Sequence, residues 1–311
     1  MTSIDTLSYE KRSFKANEVF KFKANYKDQS IYENSKLDRL KFWEKQASNL
    51  HWFKKWDTVL EWNRPYAKWF QEGELNASYN CLDVHITTEN KNKAAIIWEG
   101  ENGNTVTLTY YQLYLEVNKF ANVLRNNFSI KKGDRITIYM PMIPQAIVAI
   151  LACARIGAIH SVVFGGFSAN SLYDRVIDSD SSLIITADGG VRRGSIIPLK
   201  EITDQALSMG ITPVKKVIVV NNIGPSMKIN KMKGRDEDYE LLMDSPFKYC
   251  PPESMNSEDI LFILYTSGTT GKPKGIIHTT GGYLTHAKFS AKAVFDLKKE
   301  DIYWCTADIG W

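Results

Sequence analysis

With 311 residues, 44% of them hydrophobic and 24% charged, the chain has the balance of a globular protein of about two domains, which excludes wholesale disorder. Lysine and arginine (39) exceed aspartate and glutamate (35) by only four, too small a surplus to mark a nucleic-acid binder. The longest apolar stretch, Ala146 to Ala154, falls well short of the ~20 residues a membrane span needs, and the N-terminus carries no apolar secretion signal, so a cytoplasmic protein is expected.

Residues 1–35 are polar and lysine-rich without a convincing period, and read as a loosely ordered lead-in. Leu37, Leu40, Trp43, Ala47 and Leu50 then recur at spacings of three and four, predicting a short amphipathic helix. Trp43, Trp52, Trp56, Trp62 and Trp69 crowd the same region (36–90). Such rings could line a ligand site, but they more often pack an extension against a larger domain. Ala94–Trp98 and Thr105–Thr109 flank a Gly/Asn-rich turn and read as a hairpin. Leu113, Val117, Phe120, Ala121, Leu124 and Phe128 form a helical stripe, and Pro144 can open a second helix. Short strand-like runs follow at 135–139, 160–164, 183–186, 216–220, 260–264 and 302–305, alternating with helical or loop segments. That alternation predicts an α/β fold of parallel sheets covered by helices. Lys228, Lys231, Lys233, Arg235 and Asp236–Asp238 fall in a long polar connection, read as a solvated loop. Cys81, Cys153, Cys250 and Cys305 lie far apart, with neither a CxxC pair nor metal-ligand spacing, and read as free thiols.

The stretch richest in chemistry is Tyr265-Thr-Ser-Gly-Thr-Thr-Gly-Lys-Pro-Lys-Gly275, directly after an apolar strand. Loops leaving the carboxyl ends of strands line the ligand crevice of such sheets. Glycines let backbone N–H groups converge on phosphate oxygens, while the hydroxyls of Thr266, Ser267, Thr269 and Thr270 and the charges of Lys272 and Lys274 add to the grip. A Walker A loop is excluded by spacing: two residues, not four, separate Gly268 from Gly271, and Pro273 follows Lys272.

Thr266 to Gly275 resembles the nucleotide-binding signature of the acyl-adenylate-forming enzymes. Ile96–Gly100, Tyr139–Met142, Leu151–Gly157, Phe164–Ser168, His278–Leu284 and Asp301–Trp311 are similar to AMP-forming acetyl-CoA synthetases in particular, as is the Trp-rich stretch from Trp43 to His85. The resemblance implies an acetyl-CoA synthetase-type N-terminal extension at 36–90 and an incomplete AMP-binding domain at 91–311. It further implies a two-step ligase that takes ATP with Mg2+, CoA and a short carboxylate. A carboxylate attacks the α-phosphorus of ATP, and the CoA thiol then displaces AMP. Because the attack brings two anions together, backbone N–H groups, lysines and a metal are wanted around the β- and γ-phosphates.

Under that resemblance Thr266, Ser267, Gly268, Thr269, Thr270, Gly271, Lys272 and Gly275 bind the ATP phosphates. Lys272 and Lys274 are the catalytic cations, unless they merely solvate the loop. Phe164, Gly165, Gly166, Arg192, Arg193, Gly194 and Ser195 match the CoA site. Ser195 stands where the family's second arginine is expected, so Arg192 is the stronger candidate, and Arg193 is either its substitute or a surface charge. Trp311 matches the edge of the acyl pocket, while His278 and His286 read as structural, since no proton needs abstracting from a carboxylate. The family's remaining acyl-pocket residues, adenine segment and mobile C-terminal domain find no counterpart in these 311 residues. The chain is therefore expected to be the N-terminal part of a ligase, incompetent by itself, whose partner is the missing C-terminal part of the same protein. Two alternatives stay open: a ligase for propionate or another short acid, and a non-catalytic nucleotide- or CoA-binding module.

Overall fold

The computed structural model describes residues 12–266 and 273–310. Two short helices, α1 (Glu18–Lys23) and α2 (Ser30–Leu37), precede α3 (Arg39–Ala47). The lead-in is thus more ordered than its composition predicts from residue 18 onward. Asn25 is tied to the far end of the chain, its N–H donating to Asp296 Oδ1 at 2.8 Å. The helix expected to run through 37–50 is interrupted at Asp38, whose extended backbone ends α2 and whose carboxylate accepts the Lys41 N–H to start α3. Leu37 and Leu40 are consequently exposed, whereas Ala47 and Leu50 are buried.

The hairpin β1 (Thr58–Asn63) and β2 (Tyr66–Gln71) folds beside α3, and Trp56, Phe70 and Ala47 form a small core with Trp43, Trp52 and Trp69. Trp43 packs edge-on against Phe289 at 5.3 Å, joining this extension to the last helix; Trp62 is exposed, under the Arg39 guanidinium. The short β3 (Glu74–Leu75) follows. β4 (Ala94–Glu99) and β5 (Thr105–Thr109) form the expected hairpin. Thr109 and Gln112 then make reciprocal capping bonds that open α4 (Tyr110–Asn127), whose predicted stripe is buried from Leu113 to Leu124, while Phe128 falls just past the helix end and is half-buried.

Next come β6 (Arg135–Tyr139), α5 (Pro144–Arg155), β7 (Ile159–Val162), α6 (Ala169–Ser179), β8 (Leu183–Ala187), the small hairpin β9 (Gly190–Arg192) and β10 (Ser195–Ile197), α7 (Leu199–Ser208) and β11 (Lys216–Val220). They are followed by β12 (Asp236–Asp238), α8 (Tyr239–Met243), β13 (Met255–Asn256), β14 (Ile260–Thr266), β15 (Lys274–Thr279) and α9 (Thr280–Ala293). The central sheet has seven strands in the order β12-β11-β8-β6-β7-β14-β15, parallel except for the edge strand β15. Every residue of β7 and β8 is buried. Successive side chains point to opposite faces, so both faces of the sheet are covered there, by helix pairs including α4/α5 and α6/α7.

Two segments differ from expectation. Residues 302–305 form no strand; the chain runs irregularly past the sheet with Ile302 and Trp304 exposed. Asp236–Asp238, expected in a solvated loop, instead pair in parallel with β11 as the opposite edge of the sheet. Charge pairing makes that position tenable. The Asp236 side chain is buried against Lys200, with Nζ to Oδ2 at 2.9 Å, and Arg235 binds both Asp236 and Asp204. Burial pushes the Asp236 carboxyl upward, but hydrogen bonds from Arg235 and Lys200 outweigh it and hold the group below its ordinary value.

Candidate functional site

The strands β6, β7, β8, β11 and β14 run in the same direction, so the loops at their carboxyl ends share one rim. Chain order along the sheet reverses between β6 and β8, the place where open α/β sheets form a ligand crevice. A cavity of about 990 Å³ lies there, lined by Pro141–Ile143 after β6, Phe164–Gly166 after β7, Gly190–Arg192 beyond β8 and Asn222–Ile223 after β11. The tip of the β4–β5 hairpin and residues 304–308 complete its wall.

Each loop is fixed by a specific contact. The Tyr139 hydroxyl donates to the Phe167 carbonyl oxygen at 2.8 Å and steadies the turn after β7. Buried Asp188 accepts the N–H groups of Asn222, Ile223 and Gly224 at 2.9–3.1 Å, tying the β8 and β11 loops together. Trp98 Nε1 donates to the Met142 carbonyl oxygen at 2.6 Å and seats the hairpin tip.

The Arg192 guanidinium lies 4.6 Å above the Phe164 ring. Gly166 leaves the space for both: a Cβ there would sit 2.5 Å from the Arg192 Nη1 and 2.5 Å from the ring. A planar cation stacked on an aromatic ring, beside exposed backbone, suits an anionic or phosphorylated ligand. Asp308 faces this cation. Burial raises its carboxyl above the ordinary value, against the opposing pull of the Gly310 N–H and Arg192. Gly310 packs tightly on Phe164, where a Cβ would lie 2.9 Å from the Phe164 nitrogen.

Phe164, Gly165, Gly166 and Arg192 thus come together in one cavity. Arg193 and Gly194 do not line it: they are the two-residue turn between β9 and β10, with φ of +51° and +74°, and Ser195 pairs with Arg192 across the ladder. The N–H groups of Arg193 and Gly194 donate to the two carboxylate oxygens of Glu101, at 2.9 and 3.1 Å. Glu101 and Asp308 were not singled out from sequence. Glu101 meets its partners 92 residues away in the chain, and no local pattern signals that pairing.

The glycine- and hydroxyl-rich segment connects β14 to β15. Thr266 and Lys274 face each other as the ladder's last pair, and Gly275 lies opposite Tyr265, where a Cβ would be 3.2 Å from the ring. The Tyr265 hydroxyl donates to Asp178 Oδ2 at 2.6 Å, anchoring this end of β14 to α6. Ser267, Gly268, Thr269, Thr270, Gly271 and Lys272 lie outside the described residues, as does Trp311. His278 stacks on Phe262 at 4.5 Å and His286 lies against Trp43 at 6.3 Å, both in packing positions.

A family model described as "AMP-binding enzyme" matches residues 84–311. The chain belongs to this family. A second model, "Acetyl-coenzyme A synthetase N-terminus", matches residues 28–81. Among curated relatives, an acetyl-coenzyme A synthetase of Gemmatimonas aurantiaca is 51% identical over all of this chain and 48% of its own length. One of Rubrobacter xylanophilus is 52% identical over 96% of this chain and 46% of its own. The chain therefore spans about half the length of the curated relatives it matches. In fold it is similar to acetoacetyl-CoA synthetase from Streptomyces lividans, with a TM-score of 0.82 and 24% identity over 92% of this chain and 44% of that one. No helix among the described residues is long and apolar enough to cross a membrane.

Proposed function

We propose that this chain is the nucleotide- and CoA-binding part of a cytoplasmic AMP-forming acetate–CoA ligase, with residues 36–90 as its extension and 91–311 as its AMP-binding domain. The observation that carries the proposal is the stacked Arg192–Phe164 pair beside Gly165–Gly166, on the same sheet rim as the β14–β15 connection. Acetate as the acid rests on the relatives' printed names.

In this reading the β14–β15 connection, from Thr266 through Gly275, surrounds the β- and γ-phosphates with backbone N–H groups, hydroxyls, Lys272 and Lys274. Magnesium enters with ATP as its counterion. An acetate oxygen attacks the α-phosphorus, the bond to the bridging oxygen breaks, and pyrophosphate leaves. The CoA thiolate then attacks the acyl carbon and AMP departs. The first step needs charge held in place more than protons moved, which is what a preorganised ring of donors supplies; in the second the thiol gives up its proton to solvent as its sulfur attacks. Arg192 and the Phe164–Gly166 turn hold the nucleotide end of CoA, and Trp311 edges the acyl pocket. The 311 residues span about half the length of these relatives, and the role proposed for them is to bind both nucleotides.

Titration calorimetry tests this directly. MgATP and CoA each bind the chain, and Arg192→Ala weakens CoA by on the order of tenfold while leaving MgATP unchanged. An equal fall for both ligands, or for neither, contradicts it.

A further inference from the structure

The β9–β10 turn carries an anion seat that is already filled. A two-residue hairpin turn of type I′ has positive φ at both positions, and Arg193 and Gly194 supply it. Their N–H groups consequently leave the ladder side by side, and the Glu101 carboxylate takes one with each oxygen. Paired backbone donors of this kind bind anions, and the carboxylate is direct demonstration that this pair does. Glu101 reaches it from the β4–β5 tip, where the Gly103 N–H closes on the Gly100 carbonyl oxygen at 2.9 Å. The contact therefore ties the hairpin tip, whose Glu101 lines the cavity, to the turn that directly follows the cavity residue Arg192 in the chain.

We infer that Glu101 is an internal competitor for this seat: its carboxylate stands in for a phosphate monoester of the incoming ligand and must be displaced when that phosphate binds. The inference rests on the reading of the cavity as the CoA site. A phosphate monoester carries more charge than a carboxylate and has three acceptor oxygens, so it replaces both N–H contacts and also pairs with Arg192. Glu101 then sets the affinity for the phosphorylated end of the ligand, and its release frees the hairpin tip from the turn.

The test compares CoA with dephospho-CoA, which lacks only the monoester, on the 311-residue chain. Glu101 is exposed at a hairpin tip, so Glu101→Ala and Glu101→Gln are expected to fold as the wild type does. Both variants should bind CoA tighter, by on the order of tenfold for Glu101→Ala, and dephospho-CoA within about twofold of wild type. Equal tightening of the two ligands would mean only a diffuse charge effect, and unchanged or weaker CoA binding would mean that Glu101 supports the site; either overturns the inference. Wild-type binding of CoA that ignores the substitution removes this inference alone. If neither wild type nor variant binds CoA, the CoA reading falls and this inference with it.

Discussion

His160 stands on β7 inside the sheet, stacked between strands on Phe262 at 5.5 Å, and its Nδ1 is buried without a hydrogen-bond partner among the described residues. Burial pushes its pKa down to about 4. The native state therefore stays neutral at this ring while the unfolded chain takes up a proton below about 6.5. The stability held above that pH is lost as the pH falls from about 6.5 towards 4, by roughly 3 kcal/mol at most. Denaturant midpoints at pH 7.5 and 4.5 check the sign: wild type should lose more stability on acidification than His160→Gln, and parallel losses would contradict the assignment. At this scale the sequence was partly readable. Arg192 and the Phe164 turn were singled out through the family resemblance, and the fold brings them into one cavity. Glu101 and Asp308 were not, because what matters in them is a partner supplied by folding. Arg193 was ambiguous for the same reason: only its positive φ shows it to be a turn residue that offers its N–H.

Among the elements, the junction of extension and sheet domain is the most informative. β3 pairs antiparallel with β13, and Asn76 donates to the carbonyls of Ala154, Arg155 and Glu253. Arg155 at the end of α5 is fully buried and holds Asp83 through two bonds of 2.7 and 3.0 Å, while its Nε donates to the Cys250 carbonyl oxygen at 2.6 Å. Asp83→Asn leaves that guanidinium buried beside a neutral partner, and is expected to cost about 3–5 kcal/mol. Replacing both residues, as Asp83→Leu with Arg155→Met, should recover much of the loss. Denaturation of the single and double variants checks this; a single variant as stable as wild type would show that the pair does not hold the junction. The capped helix α4 and the all-buried strands were legible, since a 3.6-residue stripe and short apolar runs leave few alternatives. Asp236–Asp238 was not, because three acidic residues join a sheet edge only when cations neutralise each of them: Lys200 and Arg235 at Asp236, Lys216 at Glu237 and Lys231 at Asp238. Neither was residues 302–305, whose apolar run resembles a strand but finds no neighbour to pair with among the described residues.

For the whole molecule, alternating strands and helices made the parallel sheet legible, but not its strand order. The crevice follows from that order, since the reversal between β6 and β8 is what opens the cavity at their carboxyl ends. The same order sets β14 beside β7, so the connection to β15 leaves the rim on which the cavity opens. The central claim is that this connection grips the polyphosphate of ATP, separately from the Arg192 cavity. The most direct measurement is MgATP affinity of the chain before and after Lys272→Ala with Lys274→Ala, with CoA affinity as the internal reference. The account predicts MgATP binding weakened by at least about tenfold with CoA binding retained; undiminished MgATP binding in the double variant would contradict it.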